Sequence, residues 1–468
     1  MIIVEKNIIL NFLNKLHYNS PLPNNDLDHF KFIKEIWNIE KIQFFSRKEL
    51  DQYQNYKFKK LIIHSYNNVH FYKKWFREQN LSLNDFKSLN DIRKLPILTK
   101  ELIRNNFNDF IALNANSYKP QLLMTSGSTG IPFRFYVDKR ALIKERASFN
   151  RQWRLYGIKS FDRTVVLRGT LVHKYNEKND ILWEYTTFHK TLHLNTFHMS
   201  EKNCIKIIQK ILKFKPRLFR VYPMALYILA QYIKKYNIKF PSLKLIHFSS
   251  ESYTPIARAF IKQQFNCPIL DRYGQSEIVL NAFECQPEKG YHVEEENNIL
   301  ELLDNNNDQV NNGESGRIVG TNLHNYSMPL IRYSTEDLAI MGSSECECGR
   351  HTKKLDSIQG RVLDQIITKD GSLVSGISFY HYWKHEISEK IPNVSYVQVI
   401  QPKLNEIIVK ILPNKNYSER DEKIISNELS KFIGHQNISF KYIDKRPDGE
   451  KWRFTVSKLS SNQIKKLF

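Results

Sequence analysis

The sequence predicts an α/β protein with a large N-terminal domain of mixed and parallel β-sheet flanked by helices, then a small α+β domain. Three observations predict it. Between about residues 121 and 340, short β-rich runs alternate with helical stretches: RTVVLRG (163–169), NCIKIIQKILKFK (203–215), RLFRVYP (217–223), MALYILAQYIKKY (224–236) and LKLIHFSS (243–250). That rhythm argues for βαβ units and a parallel sheet, with ligands held in loops at the carboxyl ends of the strands. Second, after GESGRIVGTNL (313–323) the pattern becomes more β-like, and past residue 362 strands (VSYVQVIQP, EIIVKILP) alternate with the helix ERDEKIISNELSKFI. Third, 41% hydrophobic and 13% aromatic residues in 468 fill a real core and exclude wholesale disorder.

Residues 1–110 read as a mostly helical lead-in. FFSRKELDQYQNYKFKKLIIHSYNNVHFYKKWFREQN is long, amphipathic and free of Gly and Pro. Domain boundaries are expected at 1–361 and 362–468. The Asp370-Gly371 turn in QGRVLDQIITKDGSLVS marks short strands just past the junction. The most apolar run, LFRVYPMALYILAQYI (218–233), is broken by Arg220, Pro223 and Gln231 and reads as a buried helix, not a membrane span. The N-terminus lacks a signal peptide's charge order and cleavage site, so a soluble cytoplasmic protein is expected.

The formal charge is +22. Lysine is abundant together with Asn, Ile, Tyr and Phe, so part of that charge is compositional background. A solvated basic surface is one reading; attraction to nucleotides, sugar phosphates, acidic polysaccharide or an anionic membrane face is the other. No block of five consecutive Lys/Arg, zinc finger or RNA-recognition signature occurs, and no nucleic-acid partner is expected.

The chain has only 16 glycines, yet MTSGSTGIP (124–132) concentrates two of them among serines and threonines behind the apolar run QLLM. Such a stretch can turn its N–H groups and hydroxyls towards phosphate oxygens. It is no Walker A motif, because the Gly-Lys-Ser/Thr ending is missing. Four further segments follow in order: DRYGQSE (271–277), IRYSTEDLA (331–339), GRVLDQII (360–367) and EKWRFTVSKL (450–459). Together they resemble the motif series of the adenylate-forming enzymes. LPILTKELIRNNF (95–107), FHMSEKNCIKIIQKILKFKPRLFRVYPMAL (197–226) and CECGR (346–350) narrow the resemblance to the phenylacetate–CoA ligase family, and within it to the CapK-type capsular polysaccharide biosynthesis proteins.

The resemblance implies an adenylate-forming fold with a mobile C-terminal lid, and it implies roles. Thr125, Ser126, Gly127, Ser128, Thr129 and Gly130 would cradle the ATP phosphates. Tyr273, Gly274, Gln275 and Ser276 would line the nucleotide, with Glu251 beside the adenine and Asp337 on the ribose hydroxyls. Glu277 would help hold Mg2+, a hard cation that takes oxygen ligands. Lys451 would neutralise charge as pyrophosphate leaves, so Lys451 and Glu277 are the expected catalytic residues. Arg361 would contact ribose or bridge the domains. His198, Tyr222 and Pro223 fall where relatives build part of the acyl pocket.

The chemistry agrees with these residue types. A carboxylate is a poor electrophile; transfer to AMP supplies a leaving group, after which a thiol or amine can attack. Cofactors expected are ATP and Mg2+. The acceptor is an amine or thiol: a sugar nucleotide, a lipid-linked glycan or CoA, with peripheral contact to an anionic membrane. An aryl- or arylacetate–CoA ligase is the runner-up, and a non-catalytic nucleotide-binding module is the reading from another class.

Departures from the family pattern carry expectations too. Ile131 stands where many relatives have a lysine, and Leu363 replaces the first hinge aspartate. Glu450 replaces a glycine beside Lys451. Glu336 replaces the motif glycine beside Asp337, which suggests a different backbone at that turn. Finally, Cys285, His292, Cys346 and Cys348 form a Cys3His set suited to a structural zinc ion, although the C-x-C spacing is tight; free thiols in a turn and an unrelated histidine are the alternative. Cys204 and Cys267 lie in apolar contexts and are expected in the core.

Overall fold

The structure is a computed structural model. It describes residues 26–125, 133–159, 162–168, 182–187, 190–194, 201–240, 242–249, 255–285, 290–361, 366–367, 373–374, 383, 387, 390–391, 394–434, 437–444 and 454–459.

Helices α1 (Asp26–Ile42), α2 (Arg47–Asn68), α3 (His70–Glu78) and α4 (Lys100–Asn105) lead in. Helix α2 starts cleanly because Ser46 and Glu49 form a capping box, in which the Ser46 backbone and hydroxyl both donate to Glu49. The long amphipathic stretch does not run through as one helix. Val69, buried and extended (φ −117°, ψ 116°), ends α2 and starts α3, its β-branched side chain turned into the core. From residue 83 to 118 the lead-in is mainly short 3-10 turns around α4. These elements pack Phe58, Leu61, Tyr72, Phe76 and Phe110 against Tyr333 and Leu330.

Strands β1 (Gln121–Thr125) and β2 (Phe133–Val137) form an antiparallel pair with Thr125 opposite Phe133, so residues 126–132 join two paired strands. Helix α5 (Lys139–Arg154) follows. The parallel block consists of β3 (Thr164–Leu167), β5 (Thr191–Leu194), β6 (Leu218–Val221), β7 (Leu245–Ser249) and β8 (Ile269–Gly274), with β4 (Trp183–Thr186) antiparallel on its edge. Helices α6 (Glu201–Phe214), α7 (Pro223–Lys235) and α8 (Pro255–Phe265) lie between its strands in sequence. The run 218–233 is therefore not one helix: Leu218–Val221 is a strand, and helix begins only at Pro223, whose fixed φ suits a first helical position. Val165, Phe219, Ile246, Phe248 and Ile269 fill the core of this block, with Cys204 and Cys267 buried among them as expected.

The sheet continues antiparallel through β9 (Asn281–Glu284), β10 (Tyr291–Val293), β14 (Lys354–Arg361), β13 (Tyr333–Met341), β12 (Ser315–Asn322) and β11 (Asn298–Leu303), making twelve strands in all. The β-like turn after residue 313 and the parallel rhythm before it are both realised. A smaller C-terminal domain has its own four-stranded sheet of β17 (Val394–Gln401), β18 (Glu406–Pro413), β19 (Asn437–Tyr442) and β20 (Thr455–Ser457). Its helix α9 (Glu419–Ile433) buries Ile425, Leu429 and Ile433 on Val399, Ile407 and Val409. Just before it, β15 (Ile366–Ile367) and β16 (Leu373–Val374) pair as the turn chemistry predicts.

Candidate functional site

The ends of β8 and β13 exchange side chains. Tyr273, at the end of β8, donates its phenol to Asp337 Oδ2 on β13 at 2.6 Å. Tyr333, at the start of β13, donates to Glu277 Oε1 just beyond β8 at 3.0 Å. Each segment thus supplies one tyrosine and one carboxylate to the other, although β9, β10 and β14 separate the two strands in the sheet. Glu277 and Asp337 are both buried. Burial, reinforced by the Asp337 charge, pushes the Tyr273 phenol well above its usual value, so it stays a donor.

The local backbone explains how these groups are held. Gly274 passes so close to Asn281 that a Cβ would meet its side-chain oxygen at 2.6 Å, so a larger residue there would have to displace that buried amide. Gln275 accepts from Leu280 N through Oε1 at 3.3 Å, closing the turn, while Ser276 is exposed. Ile278 takes a positive φ of 49°, costly for a β-branched residue. Its carbonyl accepts from the amides of Asn298 (2.9 Å) and Asn322 (2.7 Å), which fix the turn carrying Glu277.

Across the site, Leu98 donates to Arg332 O and accepts from Ser334 N, docking the LPILTK segment on β13. Tyr333 stacks on Phe133, ring centroids 6.0 Å apart, and Phe133 is the first described residue after the Ser/Thr/Gly loop. Glu336 corrects one expectation. Its φ is +66°, the conformation open to the glycine it replaces, so the turn beside Asp337 keeps a glycine-like backbone. Its carboxylate meets Lys100 Nζ of α4 at 2.8 Å.

Of the residues singled out from the sequence, Tyr273, Gly274, Gln275, Ser276, Glu277 and Asp337 lie in this one arrangement. Arg361 ends β14 in register with Asp337, so the segment leading to the C-terminal domain leaves from the site's edge; its side chain lies outside the described residues, as does that of Thr125. Tyr222 and the buried Pro223 stand at the start of α7, where Tyr222 N donates to Leu167 O at 2.8 Å. Ser126, Gly127, Ser128, Thr129, Gly130, Ile131, His198, Glu251, Leu363, Glu450 and Lys451 lie outside the described residues. Tyr333 was missed; its signal was its place in IRYSTEDLA, four residues before Asp337 just as Tyr273 stands four before Glu277.

A second cluster lies on the antiparallel side. The ligand atoms of Cys285, His292, Cys346 and Cys348 all fall within 4.8 Å of one another. Cys285 Sγ is 3.4 Å from Cys346 Sγ, and Cys348 Sγ is 3.2 Å from His292 Nε2. A tetrahedral zinc site needs ligand separations of about 3.8 Å, so the donor set fits that ion. His292 Nδ1 is engaged by Thr352 Oγ1 at 3.0 Å, leaving Nε2 for the cluster. Burial, with Arg350 nearby, pushes His292 down to about 4, which keeps the imidazole neutral. Burial and the neighbouring thiols push Cys285 up. Burial acts the same way on Cys348, but the backbone and side chain of Arg350 outweigh it and lower that thiol.

A twelve-stranded mixed sheet with a smaller C-terminal domain is the fold of the adenylate-forming ligases. A 2-hydroxyisobutyryl-CoA ligase, solved in the postadenylation state with an acyl-AMP, superposes with a TM-score of 0.68 over 92% of this chain and 93% of that one, at 16% identity. In sequence the chain is 24% identical to the Staphylococcus aureus protein CapK over 88% of its own length and 90% of CapK. It is 25% identical to the phenylacetate-coenzyme A ligase of Aromatoleum evansii, over 85% of this chain and 91% of the ligase. Residues 366–458 match the CapK C-terminal domain family. Over most of its length the chain is therefore similar to phenylacetate-coenzyme A ligases and to CapK, and its C-terminal part to the CapK C-terminal domain.

Proposed function

We propose that the chain is an ATP- and Mg2+-dependent carboxylate-activating ligase, which forms an acyl-adenylate and passes the acyl group to an amine or thiol. The observation that carries this reading is the crossed pair of tyrosine-held carboxylates, Asp337 on Tyr273 and Glu277 on Tyr333. A carboxylate pinned by one strong donor keeps its remaining lone pairs aimed in a fixed direction. In this reading Asp337 accepts hydrogen bonds from the ribose hydroxyls. Glu277 turns its remaining oxygen lone pairs towards Mg2+, which when bound spreads the charge of the triphosphate. The 125–130 loop donates to the phosphates, and Lys451, carried on the 362–468 lid, neutralises the departing pyrophosphate. Cys285, His292, Cys346 and Cys348 hold a structural zinc ion.

The acceptor follows from two similarities that point different ways. In the first reading, which the name of CapK suggests, the acceptor is an amine on a sugar nucleotide or lipid-linked glycan in surface-polysaccharide assembly, in the cytoplasm and at times against an anionic membrane. Likeness to phenylacetate-coenzyme A ligases supports CoA and an arylacetate. Carboxylate-dependent ATP–pyrophosphate exchange tests the first half-reaction. No exchange over a broad acid panel, with ATP still bound, would leave a nucleotide-binding module instead. Product analysis with CoA against amino-sugar acceptors then separates the two transfers. Among the described residues no helix is long and apolar enough to cross a membrane.

A further inference from the structure

Arg220 sits inside β6 between Phe219 and Val221, which face the core of the parallel block. Alternation turns Arg220 to the opposite face, where register sets it between Val166 of β3 and His247 of β7. One step nearer the carboxyl ends, Ser249 and Arg272 are in register on that same face. Arg168, directly after β3, donates to the Ser249 hydroxyl. Helix α5 covers this face. Its Phe149 ring lies 3.9 Å from the Arg272 guanidinium carbon, and its Trp153 ring lies 5.2 Å from that of Arg220.

Among the described residues, few carboxylates face Arg220 and Arg272. Arg272 meets Glu145 and Glu294 at 3.4 Å each, but Glu294 is shared with Arg151, whose nearer partner is Glu296. Arg220 has no carboxylate within ion-pair distance and makes no hydrogen bond among the described residues. Its Nε is sealed from solvent, while the side chain as a whole keeps some access. Trp153 Nε1 donates to His247 Nδ1 at 3.0 Å, so the imidazole proton sits on Nε2, which is buried without an acceptor. Burial and then the neighbouring arginines Arg168 and Arg146 push Arg220 down to about 9. Burial with Arg168, Arg220 and Arg272 holds His247 neutral. An excess of donors and cations with too few acceptors is costly when empty and is relieved by an oxyanion.

We propose that this arginine cluster is a specificity subsite of the acyl pocket, taking a second anionic group, carboxylate or phosphate, of the acid whose first carboxylate is activated. The proposal rests on the acyl-activating reading above. Its position fits. Tyr222, expected in the acyl pocket, lies two residues beyond Arg220 and near enough to Arg168 to act on its charge. Arg272 and Tyr273 are neighbours on β8 and face opposite ways, Tyr273 to Asp337 and Arg272 to α5. The subsite therefore lies across the strand from the proposed ribose carboxylate. An aryl tail here would bury Arg220 unpaired, so the cluster selects against arylacetates as well as for dianions.

The test compares acids matched in length in pyrophosphate exchange with the full chain: succinate with butyrate, glutarate with pentanoate, 3-phosphoglycerate with glycerate, and phenylacetate alone. A dianionic acid should exceed its monoanionic partner in kcat/KM by about 100-fold or more, as expected for a site left unpaired by the wrong substrate. Arg220→Met should collapse that ratio to below about tenfold, through KM. It should also raise the thermal midpoint by removing an unpaired cation, and Arg220→Lys should keep part of the preference. If Arg220→Met does not fold, Arg220→Gln carries the same comparison. Equal use of monoanions, or an unchanged ratio in the variant, overturns the subsite. Calorimetric binding of the same acids without ATP separates the two readings. Dianion binding abolished by Arg220→Met, with no exchange for any acid, sustains the subsite and sinks the adenylation reading. Exchange with monoanions, and no dianion bound at millimolar concentration, sinks the subsite alone. No binding and no exchange across the panel overturns both.

Discussion

Tyr273 and Asp337 lie on strands separated by three others, yet the phenol reaches the carboxylate at 2.6 Å. The sheet must curl for this, and the contact fixes one wall of the proposed nucleotide site. A hydrogen bond to a charged acceptor contributes about 1.5–3 kcal/mol. Tyr273→Phe should therefore weaken ATP binding by roughly tenfold or more, with the fold intact. Asp337→Asn should cost at least as much. Calorimetric titration of ATP checks both, and an unchanged affinity in Tyr273→Phe would remove this pair from the site.

Glu336 occupies a left-handed backbone position and pairs with Lys100 at 2.8 Å. The pair is partly exposed, so it contributes about 1 kcal/mol at most. Relief of the positive φ offsets that loss in Glu336→Gly, and the melting curve should barely move. A β-branched residue cannot take the conformation cheaply. Glu336→Val should destabilise by about 2 kcal/mol and disturb Asp337 next to it. Equal stability of the two variants in urea titration would show that the turn can change its backbone.

Sequence made much of this legible, and for physical reasons. Period and turn chemistry announced the parallel block and the C-terminal strands, because short runs rich in Val, Leu, Ile and Phe alternate there with longer helical stretches. The Tyr-Gly-Gln-Ser-Glu and Ser-Thr-Glu-Asp segments could be read because site residues cluster at strand ends. What stayed hidden depends on distance in the chain. Nothing in the text says that Tyr333 serves Glu277 while Tyr273 serves Asp337. The break at Val69 was set by a core contact and not by local propensity. The arginine cluster draws single residues from α5, β6 and β8 and from beyond β3, so no motif records it. The lone Arg220 between Phe219 and Val221 was its one visible trace.

His247 and His324 are buried, and both are held well below the ordinary imidazole value. Burial is the main cause, with Arg168 and Arg220 acting on His247 and Lys144 on His324. The unfolded chain titrates near pH 6.5 and the folded one far lower, so below that value the unfolded state binds more protons. Stability from these residues is complete above about pH 6.5 and is lost as the pH falls from there towards the folded value. Together these two groups add up to about 2.7 kcal/mol per pH unit to the slope. His324 donates from Nε2 to Glu296 O at 2.9 Å, and Glu296 O also accepts from Tyr53, so His324→Gln can keep the contact. Unfolding free energies from urea titration between pH 8 and 5 should show a slope smaller by up to about 1.4 kcal/mol per pH unit in that variant. An identical slope would mean that His324 does not hold its proton balance through burial.

Cys285 directly follows β9 and His292 lies in β10, whereas Cys346 and Cys348 lie on the loop before β14. A zinc ion there would tie that loop to the sheet beside Arg350, which donates to Gln43 Oε1 at 3.0 and 2.9 Å, and so to the helical lead-in. Closed sites of this kind stabilise the folded state because the unfolded chain has no preformed ligand set. Purified protein should carry one zinc per chain by elemental analysis. Strong chelation, or Cys346→Ser, should remove the metal and lower the thermal midpoint by several degrees. Since β14 ends at Arg361 opposite Asp337, loss of the metal should also weaken ATP binding, though less than Asp337→Asn does. No metal above background would leave three thiols and a neutral imidazole packed by hydrogen bonds alone, and chelation would then move neither the midpoint nor the affinity.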